Sequence, residues 1–341
     1  MAYTAIDDAG IFFNTKLYTG TGASNALTGV GFQPDFTWIK NIDAADFHVL
    51  TDAVRGATKY IMSDVTDAET TNAESLKSFD SDGFTVGTMN EVNTNTEAFV
   101  AWCWKANGAG SSNTDGSITS TVSANTTAGF SIVKWTGDDS TATIGHGLGA
   151  VPKMIITKRY DYEGNWFTYH HSLGNTKYIL LEATDAEATS SNAWDDTSPT
   201  SSVFTKASAN NIDTGTYIAY CFAEKQGFSK FGTYTGNGDA DGPFVYTGFR
   251  PAYVMSKKTT SDPWRIMDTT RSTYNVAQNR LRADSSDAEV TASSQDKDFL
   301  SNGFKIRNTD GGYNGSGSTY LYMAFAEASF VNSNGVPCNA R

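Results

Sequence analysis

The run Phe99-Val100-Ala101-Trp102-Cys103-Trp104 constrains this chain most, because it is written three times. It returns as Tyr217-Ile218-Ala219-Tyr220-Cys221-Phe222 and as Tyr320-Leu321-Tyr322-Met323-Ala324-Phe325. Each copy is apolar or aromatic at odd and even positions alike and contains neither Pro nor Gly. Such a run reads as a strand buried on both faces, too short and too aromatic for a helix. The three copies predict three interior strands, each central to one all-β unit.

Other landmarks recur in the same order. Tyr18-Thr19-Gly20 returns as Trp135-Thr136-Gly137 and Tyr234-Thr235-Gly236. Pro34 with Lys40 returns as Pro152 with Lys158 and Pro251 with Lys257. Thr66-Asp67-Ala68-Glu69 returns as Thr184-Asp185-Ala186-Glu187 and Ser286-Asp287-Ala288-Glu289. From first to second copy the Pro, Asp and Cys landmarks are all offset by the same interval. The chain therefore divides into residues 1–107, a Ser/Thr-rich spacer at 108–127, residues 128–227, residues 228–330 and a tail at 331–341. Units of about 100 residues are too long for solenoid repeats and suit separate β-sandwich domains. The spacer is read as an extended strand packed on a neighbour or a disordered linker, and the tail as needing a partner to be ordered.

Within a unit, Phe36-Thr37-Trp38-Ile39-Lys40 and its counterparts after Pro152 and Pro251 read as strands. Phe79-Asp80-Ser81-Asp82-Gly83-Phe84 and Phe299-Leu300-Ser301-Asn302-Gly303-Phe304 are hairpin signatures, the Gly supplying the backbone freedom of a tight turn. The middle unit has Val203-Phe204-Thr205 instead, and has diverged there. Many Gly, Ser, Thr, Asn and Asp fit short strands and turns, and no long helix is expected.

A net charge of −12 offers no basic patch to displace counterions from a nucleic-acid backbone. It also disfavours anionic membrane surfaces. No apolar run of about 18 residues exists, so membrane insertion by a helix is not expected. The start Met1-Ala2-Tyr3-Thr4 lacks a basic segment followed by an apolar one, so synthesis and folding in a cytoplasm are expected. Cys103 and Cys221 sit at equivalent positions, where the third copy has Ala324. Equivalent positions in separate units are too far apart to bridge, so both are expected as small core residues. Cys338 is expected as a lone exposed thiol.

No nucleophile elbow, Cys/His pairing or phosphate-binding loop is present, so no catalytic residue, cofactor or metal is expected. His170-His171 lacks ligand partners at a metal spacing and reads as a strand-flanking pair, and His146 sits in a Gly-rich turn. Asp52/Arg55 and Asp268/Arg271 recur at one spacing and read as structural charge-assisted pairs. The Asp-Ala-Glu triplets carry too few acids for a calcium loop and read as turn-capping. Tyr160, Tyr162, Trp166, Trp194, Tyr274 and Tyr313 lie in or near polar loops and form the candidate sugar-stacking set. Trp102, Cys103, Trp104, Tyr220, Cys221, Phe222, Met323, Ala324 and Phe325 form the repeated core.

Several phrases resemble proteins of marine bacteriophages of the cyanophage type, described as tail-fibre-like or virion structural. They are Leu17-Tyr18-Thr19-Gly20, Gln33-Pro34-Asp35-Phe36-Thr37-Trp38-Ile39-Lys40 and Val100-Ala101-Trp102-Cys103-Trp104-Lys105-Ala106. Ile144-Gly145-His146-Gly147-Leu148-Gly149 and Gly242-Pro243-Phe244-Val245-Tyr246-Thr247-Gly248-Phe249-Arg250-Pro251 belong with them. The resemblance implies three tandem lectin-like, jelly-roll β-sandwich modules in a non-enzymatic virion protein. Its partners would be other virion proteins and host-surface polysaccharide, with a homotrimer favoured by analogy. Attachment to host glycans is the first expectation. Capsid decoration, or a head fibre that stabilises the particle, is the alternative. Because the scaffold is what repeats, function is sought where the copies differ: the spacer, the ends and the loops around Tyr160 and Trp194.

Overall fold

The structure is a computed structural model and describes residues 3–210 and 214–337. The chain is all-β. Antiparallel sheets account for nearly all regular structure, and the α-helices among the described residues are single turns.

One four-strand arrangement appears three times. Phe13–Thr19, Ala98–Trp104, Phe36–Asn41 and Val49–Asp52 lie side by side in that order. So do Phe130–Thr136, Thr216–Phe222, Met154–Arg159 and Trp166–His170, and again Ser229–Thr235, Thr319–Ser329, Phe249–Lys258 and Arg265–Asp268. The thrice-written run is an interior strand each time, as its two-sided apolar pattern requires. Val100, Trp102 and Trp104 face one cluster, while Phe99, Ala101 and Cys103 face another. The second face is covered by a small sheet of Asn25–Thr28, Gly83–Val86 and Leu76–Asp80.

The first face explains how the repeats sit together. It opens onto a single core to which all three contribute. Phe36 stacks on Tyr220 with ring centroids 4.2 Å apart, Phe13 on Phe325 at 5.0 Å, and Phe222 meets Phe325 at 5.9 Å. The expectation of separate domains is thereby corrected. A sheet apolar on both faces has to be covered twice, and here the inner cover is the other two repeats.

The recurring polar landmarks tie these repeats into a closed ring. Glu69 N–H donates to Tyr160 O at 2.7 Å, Glu187 N–H to Thr259 O at 2.8 Å, and Glu289 N–H to Ile42 O at 2.9 Å. Each Asp-Ala-Glu loop thus reaches the following repeat, and the third reaches back to the first. The repeated lysines serve the same seams: Lys158 Nζ donates to Thr66 O at 2.8 Å and Lys257 Nζ to Asp185 O at 3.0 Å. Lys40 instead donates to Asn41 O and Ala44 O in its own repeat.

Deeper in the seams, Asp52 and Asp268 are fully buried and each binds its arginine at 2.6 Å. Tyr220 OH also donates to Asp52 at 2.9 Å and Trp102 Nε1 to Asp268 at 3.1 Å, so each pair is completed by a neighbouring repeat. The equivalent of Trp102 and Tyr220 in the third repeat is Met323, which has no donor. The residues facing it in the second repeat are His170 and Leu173 rather than Asp and Arg, and His170 Nε2 lies 3.3 Å from Tyr322 O. A carboxylate there would be buried without a donor, so its replacement follows from the partner.

The spacer is ordered: Ser111–Asn113 and Ser120–Asn125 extend the middle large sheet at its edge. The ends fold back on the same chain. Tyr3 OH donates to Gly248 O at 2.8 Å, and residues 331–337 form a turn in which Ser333 N–H donates to Asp7 at 2.7 Å. That part of the tail is ordered by the chain itself rather than by a partner. Cys338 lies outside the described residues.

Candidate functional site

The outer layers, unlike the inner ring, differ among repeats. In the first and third, the small sheet has three strands; in the second it has two, Ala142–Gly145 and Val203–Lys206. The strand equivalent to Leu76–Asp80 and Lys297–Leu300 is missing from it among the described residues. This is the place where the middle copy lacks the hairpin signature.

The omission leaves a cavity of about 250 Å³, lined by Arg159, Tyr162, Asn165, Phe167, Lys206 and Tyr217 among others. Lys206 occupies the position that Val86 and Ile306 fill in the other repeats, where those side chains pair with Leu76 and Lys297 on the neighbouring strand. Its Nζ stands 4.6 Å from the centroid of the Trp194 ring and 5.0 Å from that of Phe167. The residue is 1% exposed, yet its ammonium makes no hydrogen bond or ion pair with a described residue. Burial pushes its amine down to about 7. Two aromatic faces compensate part of the lost hydration of the ammonium, and the open side of the cavity leaves room for an anion.

The rim carries the remaining chemistry. Tyr162 is 65% exposed, and the Arg159 guanidinium lies 5.3 Å from its ring centroid while pairing with Asp161 at 2.9 Å. Exposed Glu163 accepts from Thr66 at 3.1 Å, and the Asn165 amide is exposed. The site offers an aromatic platform, a buried cation and amide groups, which suit binding and orienting a small ligand. A cavity of about 260 Å³ between the first and third repeats is less suited, because its Arg250 and Glu327 pair with each other at 2.9 Å.

Of the six aromatic residues expected to stack sugars, the cavity includes Tyr162. Tyr274 is 82% exposed on a loop of the third repeat and lines none of the cavities described. Tyr160 is half-buried against the shared core. Trp166, Trp194 and Tyr313 are corrected: all three are buried and present no free ring face. Trp166 Nε1 donates to Met62 O across a seam at 2.9 Å, and Trp194 Nε1 to Lys177 O at 3.1 Å. Polar loop residues around an aromatic do not make it exposed when its N–H finds a carbonyl and its ring a core. The nine repeated core residues are buried as expected.

Lys206, Arg159, Phe167 and Tyr217 escaped sequence reasoning. A signal existed for Lys206: aligning Val203-Phe204-Thr205-Lys206 with Gly83-Phe84-Thr85-Val86 puts a lysine at a core position. The histidines hold structure, His146 Nε2 lying 3.2 Å from Thr200 O and His171 Nε2 3.1 Å from Phe231 O. Among the described residues no three His, Cys, Asp or Glu side chains gather as a metal site, and no helix is long and apolar enough to cross a membrane.

The chain belongs to the family described as Domain of unknown function (DUF7483), which matches residues 8–329. That match runs through all three repeats as one unit, in keeping with their common core. No curated protein matches the chain.

Proposed function

We propose that this member of the family is a non-enzymatic bacteriophage virion component whose middle repeat binds a host-surface glycan. The observation that carries the reading is the cavity opened by the missing strand, with exposed Tyr162 at its rim and unpaired Lys206 in its wall. At about 250 Å³ it is smaller than the pockets of drug-sized ligands and suits one sugar residue. The pyranose face stacks on Tyr162, and an acidic substituent reaches the Lys206 ammonium. Placement on a phage particle rests on the resemblance in the sequence.

The test is a glycan array followed by titration calorimetry of the best acidic and neutral sugars. Saturable binding of an acidic sugar by the wild type, lost in Tyr162→Ala and Lys206→Met, supports the reading. Absence of binding to any host-derived glycan, with adsorption unaffected by antibody against the protein, defeats it.

A second reading, capsid decoration, is favoured by the closed ring of three repeats, which makes a single chain suitable for a three-fold position on a shell. Copy number separates the two. Hundreds of copies per particle indicate decoration, and a few dozen or fewer indicate an attachment appendage.

A further inference from the structure

The third repeat departs from the other two at three outward positions at once. Arg265, Arg280 and Arg282 stand where the first repeat has Val49, Tyr60 and Met62 and the second has Phe167, Tyr178 and Leu180. The exchanges fall on two adjacent strands and their continuation, so the three arginines come together around a cavity of about 200 Å³ that also touches Gln295, Asp310 and Tyr313.

Two of the guanidiniums are partly committed. Arg265 pairs with Asp262 at 2.8 Å and lies over the Tyr313 ring at 4.8 Å, while Arg282 reaches Asp287 at 3.3 Å. Asp310, on the cavity wall, already accepts from Gly312 N–H at 2.8 Å. Arg280 is different. It is 8% exposed, and its side chain has neither an ion pair nor a hydrogen bond with a described residue, its Nε being buried without an acceptor. Burial pushes its proton affinity down, and neighbouring Arg282 and Arg265 add to that. A buried guanidinium without an acceptor is costly, and repulsion from two others adds to the cost unless an anion joins them.

We propose that this cavity is an oxyanion-binding site, built for a sulfate or phosphate group, free or carried as an ester. Planar guanidiniums present paired N–H donors that match tetrahedral oxyanions, and three converging forks distinguish such a group from a lone carboxylate. The site is independent of the cavity at Lys206, so either can fail without the other.

The experiment titrates the purified full chain by calorimetry, at constant ionic strength set with chloride. Inorganic sulfate, inorganic phosphate, glucose 6-sulfate and glucose are the probes. Arg280→Tyr takes the residue found at that place in the first repeat, and Arg282→Met serves as the second variant if the first does not fold. The expected result is saturable binding of inorganic sulfate or phosphate by the wild type and by Lys206→Met, weakened by about tenfold or more in the arginine variants, as loss of a charge-assisted bond implies. Measured in Lys206→Met, where the middle repeat's cavity lacks its cation, tighter binding of glucose 6-sulfate than of the free ions identifies an ester as the ligand, and the reverse a free ion. No saturable binding of any oxyanion, or equal affinity in wild type and Arg280→Tyr, overturns the proposal.

Discussion

The outer layers of the first and second repeats are nearly the same structure with one strand present or absent. In the first, Leu76 and Val86 pair and close an apolar cluster with Phe84 and Phe99. In the second, the counterpart of Val86 is Lys206, no counterpart of Leu76–Asp80 joins the small sheet among the described residues, and a cavity stands in its place. The inner faces of the same two repeats are packed into one core. The inner ring binds each repeat to its neighbours' shape, whereas an outer layer answers only to itself. An outer layer can lose a strand or gain an arginine without disturbing the other two repeats, and so it is where binding chemistry accumulates.

The largest effect is expected from breaking the inner ring. Asp52→Ala removes the acceptor shared by Arg55 and Tyr220 and leaves the buried guanidinium with Glu69, at 3.1 Å, as its remaining carboxylate. A loss of about 3–5 kcal/mol in denaturant unfolding is expected, with the transition remaining cooperative across the whole chain. If the second and third repeats unfold separately at higher denaturant, the single-core comparison fails.

Next comes a pH dependence shared by the seams. Glu182, beside Lys158, is raised by burial from 4.5 to about 7, and its equivalents Asp64 and Asp284 are raised to about 7 and about 6. A folded value above the unfolded one means that the stabilisation is complete below about pH 4 and is lost as pH rises through about 7. Lys158, lowered by burial to about 8, restores stability between about 8 and its ordinary value of 10.5. These carboxyls therefore lower stability at pH 8 relative to pH 5, a difference opposed by the buried imidazoles of His48 and His170, lowered to about 3, and by the amines of Lys206 and Lys297, lowered to about 7. Glu182→Gln should raise the melting temperature at pH 8 relative to that at pH 5, and an unchanged difference would remove Glu182 from the account.

Lys206→Met sharpens the contrast between the two outer layers. Restoring an apolar side chain where Val86 and Ile306 stand should stabilise the fold by about 1–3 kcal/mol while abolishing acidic-sugar binding. The gain should be larger at pH 6 than at pH 8.5, because the amine titrates at about 7 and the cost of its burial is complete only below that. Destabilisation would mean that the ammonium is satisfied where it lies.

The inner architecture was legible in the sequence because its constraints are apolar, local and written three times. The runs at Phe99, Tyr217 and Tyr320 required interior strands, and the Lys and Asp-Ala-Glu landmarks showed the repeat, though the triplets read as turn-capping and not as links between repeats. What escaped was relational. Nothing local in Glu69 announces that its N–H meets Tyr160 in another repeat, and the shared core is invisible while each copy is read as self-sufficient. The site was half legible: the missing hairpin at 203–205 and Tyr162 could be found, but Trp166, Trp194 and Tyr313 were misassigned from polar neighbours. Lys206, Arg265, Arg280 and Arg282 become conspicuous only when the copies are superposed, since a lone lysine or arginine in a polar sequence carries no signal.

The smallest expected effect on stability is also the one that isolates binding. Tyr162 is 65% exposed, and its ring lies under Arg159, itself anchored by Asp161. Removing the ring breaks one exposed cation–π contact and opens no core, so Tyr162→Ala should stay within about 0.5 kcal/mol of wild-type stability. Its effect on a sugar is of another kind, because stacking uses the ring face whether or not that face supports the fold. A weakening of about three- to tenfold is expected for the sugar that the wild type binds best. Tyr274, 82% exposed and outside the cavity, supplies the control: Tyr274→Ala should change neither stability nor affinity. Equal losses of affinity in both variants would mean that exposure of an aromatic, rather than the missing strand of the middle repeat, makes the site.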